Sequence, residues 1–301
     1  MRLEQSYAVC LRLARDHYEN FPVASWLLPA RMRPHVAAVY AFARTADDFA
    51  DEDGLHPAER ERRLDEWLAR LHGTLAARET VMPSSDADHV FAALAHTIRA
   101  CDLPVGLFED LVSAFRQDVT VRRYRTWDDV LDYCRRSANP VGRLVLRIGG
   151  WRNAEADAAS DAVCTALQLT NFWQDFALDW RRGRLYLPEA ERDAAGADEA
   201  DLDAGRMTPA WRTAIARAVA RTRELFRRGR SVADAVDGRL RCELRATWLG
   251  GMRILERIEA AGFDVLGNRP TLGLRDAPLI AWRLAAWRRA ASPIGRGAPI
   301  L

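Results

Sequence analysis

Residues 169–188 read LTNFWQDFALDWRRGRLYLP, a stretch in which polar side chains recur at helical spacing. In a helix, Asn171, Asp175 and Asp179 are each four residues apart and therefore share one face. The residues between them are mostly apolar: Phe172, Trp173, Phe176 and Leu178. This favours a face that points into the protein, where stacked carboxylates repel one another unless a cation lies between them. Such oxygen ligands suit a hard divalent cation, although a solvated face with charges at helical spacing explains this stretch alone equally well.

Helix-forming residues dominate the rest of the chain as well. Ala, Leu, Arg and Glu fill most segments, and there is neither a short repeat nor a strand–turn–strand pattern. The predicted helices cover residues 4–20, 34–52, 57–78, 86–101, 104–119, 127–136, 138–150, 154–180, 208–235, 237–261 and 276–291. The Ala/Asp-rich stretch 193–205 is predicted to be an exposed loop. The fold class is therefore predicted to be all-α.

A second acidic cluster lies near the end of the predicted helix 34–52, in the stretch RTADDFADE that begins at Arg44. Asp47, Asp48 and Asp51 are three or four residues apart, so their carboxylates converge on one patch. Acids are unfavourable at a helix C-terminus, where the helix dipole is already negative. Conflicts with a local rule are typical of functional sites, whereas the polar end of an ordinary helix is the alternative. Two such clusters facing each other across a helical cavity would hold Mg²⁺ ions together with a phosphate or diphosphate.

Composition limits the classes of partner. The 301 residues are 49% hydrophobic, enough for one large domain or two small ones, and the net charge of +2 does not favour nucleic acid. All 44 basic residues are arginine, which suits bidentate contact with phosphate. The five cysteines form no CxxC pair, and no signal peptide is recognisable, so we expect reduced thiols and a cytoplasmic location. No apolar run is long enough to span a bilayer.

Three segments, in order along the chain, resemble the motifs of the head-to-head prenyl synthases, the squalene and phytoene synthase family. They are LLPARMRPHVAAVYAFARTADDFAD at 27–51, RYRTWDDVLDYCRRSANPVG at 123–142 and QLTNFWQDFALDWRRGRLYLP at 168–188. The resemblance extends over most of the chain. It implies one domain over residues 1–301 with an all-α isoprenoid-synthase fold, a helical bundle around a central cavity.

The resemblance also implies Mg²⁺ as cofactor, a prenyl diphosphate as substrate, and roles for particular residues. The implied metal ligands are Asp47, Asp48, Asp51, Asn171, Asp175 and Asp179. The implied catalytic residues are Asp47, Asp51, Asp175, Asp179 and Tyr186. The implied substrate contacts are Phe21, Tyr40, Arg44, Gln168, Phe172, Gln174 and Arg184.

Two departures from the family pattern narrow the expected reaction. Many members have a serine-rich SxSF segment where this chain has HYENF at 17–21. Phytoene synthases usually read NILRD where this chain reads NFWQD at 171–175, so an arginine has become neutral Gln174 and two aliphatic residues have become aromatic. Less positive charge and more aromatic surface suit a single diphosphate and a large carbocation. These features most resemble the bacterial hydroxysqualene synthases within the family.

That resemblance implies conversion of presqualene diphosphate and water into hydroxysqualene and diphosphate, in squalene and hopanoid biosynthesis. Candidates for stabilising the carbocation are the aromatic faces of Phe21, Tyr40, Phe172 and Trp173. Candidates for positioning the capturing water are Tyr18, Glu19 and Asn20. The alternative is a presqualene diphosphate or phytoene synthase that condenses two prenyl diphosphates, such as farnesyl diphosphate, head-to-head. A non-catalytic assembly factor is a weaker hypothesis, because both acidic boxes are intact.

Other features have simpler interpretations. Asp86 and His89 form one D-x-x-H, whereas a di-iron bundle needs two such pairs and further acids. The run Arg122–Arg125 is either a flap over the diphosphate or a solvated face. Trp248, Trp282 and Trp287 belong either to the core or to a lipid-facing patch. The helix 276–291, rich in Arg, Leu and Trp, either packs against the bundle or makes peripheral contact with the inner face of a membrane.

Overall fold

The computed structural model describes residues 2–16, 27–52, 54–77, 82–267 and 269–288, and within these ranges the chain forms fifteen helices. In chain order they are α1 (Arg2–Asp16), α2 (Arg33–Asp51), α3 (Pro57–Ala76), α4 (Asp86–Cys101), α5 (Gly106–Thr120), α6 (Trp127–Ser137), α7 (Asn139–Gly149), α8 (Ala154–Gln174), α9 (Phe176–Arg181), α10 (Glu189–Asp193), α11 (Glu199–Asp203), α12 (Pro209–Gly229), α13 (Val232–Ala235), α14 (Gly238–Ala260) and α15 (Ala277–Ala285).

The predicted all-α class is confirmed. Helices account for 74% of the described residues, and these ranges contain no strand, only one isolated parallel bridge between Arg123 and Leu185. No helix in these ranges is both long enough and apolar enough to cross a membrane. Local chemistry explains several helix starts. Ser85 with Asp88, and Thr126 with Asp129, form reciprocal capping boxes at α4 and α6.

Three sequence predictions about the elements are wrong. The predicted helix 208–235 is divided after Gly229 into α12 and α13. The predicted helix 154–180 is divided at Asp175 into α8 and α9. The predicted loop 193–205 contains the short helix α11, with Leu202 buried. Glu199 at the start of α11 accepts bonds from Arg123 (2.9 Å) and Arg192 (2.7 Å). The two ion pairs hold the stretch in place, and the one to Arg123, 76 positions away, has no signature in local composition.

The chain divides into two compact units, whose described residues fall within 2–120 and 140–152 for the first, and within 121–139 and 153–288 for the second. The single domain expected over 1–301 stays a prediction.

In the first unit, α2 packs against α1, α3, α4 and α5. The core there is a cluster of aromatic rings, in which Phe42 of α2 contacts Trp67, Phe91 and Phe108 at centroid distances of 5.8, 6.2 and 5.6 Å. This core fixes the helix that carries the first acidic box.

In the second unit, α8 is the central helix and packs against α12, α14 and α6. Its C-terminal turns are anchored by Trp173, which is fully buried and donates its indole N–H to Thr222 of α12 (2.9 Å). Glycines allow the helices to approach closely: a Cβ on Gly229 of α12 would lie 2.5 Å from the carbonyl oxygen of Ala159 in α8. The second acidic box therefore sits at the end of a rigidly packed helix.

Candidate active site

The first acidic box, made of Asp47, Asp48 and Asp51, occupies the end of α2. Arg44, one turn earlier, pairs with Asp48 (Nη2–Oδ1, 2.6 Å) and with Asp47 (Nη1–Oδ2, 3.4 Å). Burial opposes the charged form of Arg44, but the two carboxylates hold the pKa of its guanidinium above the usual value. Its Nε is buried and has no hydrogen-bond partner among the described residues. Half-buried Tyr40 lies one further turn back on the same face.

The second acidic box, made of Asn171, Asp175 and Asp179, spans the junction between α8 and α9. Asp175 ends α8 and precedes α9, with φ −97° and ψ 12°. The helical spacing nevertheless continues through the junction, because Asp175 N–H donates to Asn171 O (2.8 Å) and Asp179 N–H donates to Asp175 O (2.9 Å). The three residues predicted to share a face are therefore brought together despite the break. Gln168 lies one turn before Asn171 on that face of α8, half-buried.

Both carboxylate oxygens of Asp175 have partners in this structure. Asn171 Nδ2 donates to Oδ2 (2.9 Å), and the guanidinium Nε of Arg269 donates to Oδ1. The neighbouring Gln174 donates its amide N–H to the carbonyl of Pro270 (2.8 Å). Arg269 is not among the residues predicted from the sequence, and neutral Gln174 led us to expect less positive charge at this box. That expectation is wrong, because a guanidinium reaches the box from a distant loop.

The turn after α9 brings Arg184 to the backbone of Asp179. Arg184 N–H donates to Asp179 O (2.8 Å), and Arg182 N–H donates to the same oxygen (3.0 Å). Gly183 between them has φ +75°, a left-handed conformation that favours glycine. The GR pair of the predicted motif therefore has a structural reason, and Arg184 is placed within a few residues of the second box.

A group of buried aromatic rings includes the chain neighbour of Asn171 in the second box. Phe172, next to Asn171, stacks on Tyr186 with ring centroids 3.7 Å apart and planes 3° apart. Tyr133 and Tyr124 extend the group, each within 6.1 Å of a neighbouring ring. Tyr186 and Phe172 are 8% and 3% exposed. Phe172 and Tyr186 were predicted as site residues. Tyr124 and Tyr133 belong to the motif-like segment 123–142, but no role was predicted for them.

The segment around Arg123 is what brings Tyr186 to these rings. Leu185 N–H donates to Arg122 O (3.0 Å), and Glu189 N–H donates to Tyr124 O (2.9 Å), so the two stretches run side by side. Arg123 pairs with Glu199 and donates to Gly183 O (2.6 Å). This arginine is therefore neither a flap nor a solvated charge. It is a structural residue, whose hydrogen bonds to Gly183 O and Glu199 connect the segment before α6 to the turn after α9 and to α11.

Several sequence candidates fall outside the site. Trp173 packs in the core against Thr222 and Trp127, so its proposed role beside the carbocation is not supported. Asp86 pairs with exposed Arg12, and His89 bonds to Ser6. Phe21, with the neighbouring candidates at 18–20, lies outside the described residues.

The donor groups of each box, taken by itself, fit Mg²⁺ whose coordination shell a phosphate completes. Within the described ranges, no group of three or more His, Cys, Asp and Glu side chains could hold a metal ion by itself. Mg²⁺ does not require one, because it binds through one or two carboxylates while waters and substrate phosphates complete its shell. Each box supplies hard oxygens, and each carries an arginine suited to phosphate, Arg44 in the first and Arg269 in the second.

Known proteins resemble this chain in sequence and in fold. The chain is 39% identical to the hydroxysqualene synthase of Rhodopseudomonas palustris over 262 residues, which cover 86% of this chain and 85% of that protein. It is 31% identical to the phytoene synthase of Thermus thermophilus, covering 96% and 91% of the two chains.

Solved structures agree with the sequence relatives. The crystal structure of squalene synthase HpnC from Alicyclobacillus acidocaldarius matches with a TM-score of 0.79 and 41% identity, covering 87% of this chain and 95% of that one. A dehydrosqualene synthase shares the fold with a TM-score of 0.82 at 20% identity. The family model for squalene/phytoene synthases matches residues 14–276. The chain belongs to the squalene/phytoene synthase family.

Proposed function

We propose that this protein is a hydroxysqualene synthase, which converts presqualene diphosphate and water into hydroxysqualene and diphosphate. The observation that carries the proposal is the buried Phe172–Tyr186 stack, in which Phe172 is the chain neighbour of Asn171 in the second acidic box. Aromatic faces beside a diphosphate-binding box favour the stabilisation of a large cation. Similarity at 38–39% identity to proteins named hydroxysqualene synthase supports the same reaction.

Members of this family generally use divalent metal ions, and we propose Mg²⁺ here. The residues that would hold it are Asp47, Asp48 and Asp51 in the first box and Asn171, Asp175 and Asp179 in the second. When bound, Mg²⁺ neutralises the negative charge that develops on the departing diphosphate. Arg44 and Arg184 would donate hydrogen bonds to diphosphate oxygens. Tyr40, Gln168 and Gln174 would contact substrate beside the boxes.

The proposed reaction balances without a redox partner. The C–O bond to the diphosphate breaks heterolytically, and the diphosphate leaves with the electron pair. The resulting cyclopropylcarbinyl cation would rearrange beside the buried aromatic group that contains Phe172 and Tyr186, which provides apolar surroundings. A water oxygen then forms the new C–O bond and loses its proton. Phe21 as a further substrate contact stays a prediction.

A second candidate is a synthase that condenses two prenyl diphosphates head-to-head. The 31% identity to a phytoene synthase over 96% of this chain supports it. Arg269 beside Asp175 also favours it, since the box is more cationic than the sequence indicated. A non-catalytic assembly factor is less favoured, because every carboxylate of both boxes is retained.

One assay separates these functions. Purified protein with Mg²⁺ and no NADPH is given either presqualene diphosphate or farnesyl diphosphate, and the products are identified by mass spectrometry. We expect hydroxysqualene from presqualene diphosphate and no product from farnesyl diphosphate alone. Turnover of farnesyl diphosphate alone would contradict our first choice, and no turnover of either, with metal binding intact, would favour the assembly factor.

We also propose that α15 contacts an anionic bilayer, from which a lipophilic substrate could enter. Trp282 and, just before the helix, Leu274 are 66% and 94% exposed. The exposed positions 278, 281, 282 and 285 follow helical spacing and carry no charge. An open pocket of about 350 Å³ beside them is lined by three tryptophans, at 248, 282 and 287, and three arginines, at 230, 283 and 288. Exposed Trp and Leu next to arginines match the headgroup region of anionic lipids.

Vesicle sedimentation tests this contact. We expect binding to phosphatidylcholine vesicles that contain phosphatidylglycerol and much weaker binding to pure phosphatidylcholine. Trp282→Ala with Leu274→Ser should lower the partition coefficient about tenfold, because the side chains lose their apolar burial. Met82→Ser, a change at an exposed apolar residue of the other unit (56% exposed), is the control. Unchanged vesicle binding by the double variant would overturn the proposal. A wild-type dimer that the double substitution converts to a monomer would overturn it as well.

A further inference from the structure

The loop before α15 brings a cation to the second acidic box. Arg269 and Asp175 are 94 positions apart in the chain, yet Arg269 Nε donates to Asp175 Oδ1. The Asp175 side chain is 13% exposed and that of Arg269 is 52% exposed. The carboxylate is therefore neutralised by a guanidinium side chain that keeps about half of its own surface open to solvent.

A second contact fixes this loop to the end of α8. Gln174 Nε2 donates to Pro270 O at 2.8 Å. Proline restricts its own φ angle and disfavours helical geometry in the residue before it. Anchoring the Pro270 carbonyl therefore also limits the backbone of Arg269. Gln174 and Asp175 are adjacent at the C-terminal end of α8, and Arg269 and Pro270 are adjacent in the loop. Gln174 binds Pro270 and Asp175 binds Arg269, so the loop is held at two consecutive residues.

The neutral residue at 174 acquires a physical role from this geometry. An arginine at this position would carry its own charge beside the box, whereas Gln174 carries none and instead offers an amide donor to a carbonyl. The charge is supplied by Arg269. The pair thus provides the same net charge at the box from a loop residue, in place of a side chain on the helix itself.

We propose that Gln174 and Arg269 act together as a displaceable counter-cation: Gln174 positions the loop, and Arg269 occupies Asp175 until a divalent cation replaces it. This rests on the proposed role of Asp175 as a metal ligand. Once displaced, the guanidinium lies beside a metal-bound diphosphate, to which it donates charge-assisted hydrogen bonds. Arg269 and a metal ion compete for the carboxylate, whereas Arg269 and a diphosphate attract one another.

The proposal predicts two effects of opposite sign from one substitution. In Arg269→Gln, the affinity for Mn²⁺ alone, measured by electron paramagnetic resonance, should rise severalfold because the internal competitor is gone. The dissociation constant for inorganic diphosphate at saturating Mg²⁺, measured by calorimetry, should increase about tenfold because a charged donor is lost. A merely structural role would weaken both affinities together.

Two further variants test the coupling between the residues. Gln174→Arg in the Arg269→Gln background returns a guanidinium from the helix and should restore diphosphate affinity to within about threefold of the wild type. Gln174→Leu should accelerate amide hydrogen exchange across residues 269–273 in the metal-free protein. Arg275→Gln removes the same charge from the same exposed loop and should leave both affinities unchanged.

The outcomes separate this inference from the proposed function. If the enzyme turns over a prenyl diphosphate but Arg269→Gln leaves the Mn²⁺ and diphosphate affinities unchanged, the counter-cation is wrong and the function stands. A parallel loss of both affinities in Arg269→Gln likewise overturns it. If both affinities shift as predicted while neither prenyl diphosphate is turned over, the counter-cation stands and the proposed function fails.

Discussion

Asp175 combines a backbone role with a side-chain role. Its main chain carries the helical hydrogen bonds across the junction between α8 and α9, and its carboxylate joins Asn171 to Arg269. The backbone role depends on no side-chain atom, so the two roles are separable by substitution.

A substitution that removes the negative charge of Asp175 but keeps the shape of its side chain tests the side-chain role. Asp175→Asn should lower kcat by about 100-fold or more, because the metal and its diphosphate lose an anionic ligand. The circular dichroism spectrum and melting temperature should change little, since the backbone bonds remain. Asp203→Asn, at an exposed acid of α11, is the matched control with full activity. Wild-type turnover by Asp175→Asn would remove Asp175 from the metal site.

The Trp173–Thr222 hydrogen bond is a stability feature. Thr222 is fully buried and accepts the indole N–H of Trp173, which is also fully buried. Thr222→Val keeps the volume but leaves that N–H without a partner, so it should lower the free energy of unfolding by about 1–3 kcal/mol. Urea denaturation measures the change.

Thr213→Val on the same helix is the matched control. The Thr213 hydroxyl donates to the backbone carbonyl of Pro209, one turn back (2.8 Å), but Thr213 itself is exposed. We expect a change within about 0.5 kcal/mol there. Equal effects at the two positions would mean that the Trp173 bond contributes nothing to stability.

At the scale of elements, α14 carries two adjacent glycines with opposite surroundings. A Cβ on Gly251 would lie 2.4 Å from the ring of fully buried Phe226, whereas a Cβ on Gly250 would lie 3.5 Å from Leu272, an ordinary contact. Gly251→Ala should therefore destabilise the protein by about 1–3 kcal/mol through overpacking. Gly250→Ala should be neutral or stabilising by up to about 1 kcal/mol, since alanine favours helix. Thermal melts of both variants check the contrast, and the reverse order would contradict the α12–α14 packing.

The start of α15 depends on a buried carboxylate. Asp276 is 1% exposed and accepts bonds from the Gly273 N–H (2.8 Å), Arg253 (2.8 Å) and Arg257 (2.6 Å). These donors hold the pKa of Asp276 well below its usual range. Because the folded pKa is lower than the unfolded one, the carboxylate stabilises the fold fully above about pH 4 and progressively less as the pH falls towards the folded pKa.

Removing that carboxylate should flatten the acid dependence of stability. Asp276→Asn should be less stable than the wild type at pH 6, and the difference in free energy of unfolding should shrink between pH 5 and pH 3. Other titrating acids are common to both proteins and cancel in the difference. Urea denaturation at several pH values measures it, and a constant difference across this range would show that Asp276 does not titrate with unfolding.

At the scale of the whole molecule, the sequence predicted the features that depend on local spacing. The helices, the shared face of Asn171, Asp175 and Asp179, and the cluster at Asp47 all follow from short-range periodicity. Those features need no knowledge of the tertiary fold. Phe172 and Tyr186 were predicted as site residues from the motif resemblance, but their stacking on each other was not predicted.

The features that the sequence did not predict depend on long-range contacts. Arg269 reaches Asp175 through a loop, and an arginine followed by a proline carries no signal of its destination. The helix α11 forms where composition indicated a loop, because Glu199 is held by Arg123 and Arg192. The break at Asp175 keeps the helical spacing, so periodicity could not reveal it.

The measurement that tests the central claim most directly is the origin of the oxygen in the product. The enzyme is incubated with Mg²⁺ and presqualene diphosphate in water enriched in oxygen-18, and the alcohol is analysed by mass spectrometry. Ionisation at carbon followed by capture of water predicts hydroxysqualene that carries one heavy oxygen from the solvent. Presqualene alcohol that retains its original oxygen, as cleavage at phosphorus would give, or a hydrocarbon product without oxygen, would contradict the account.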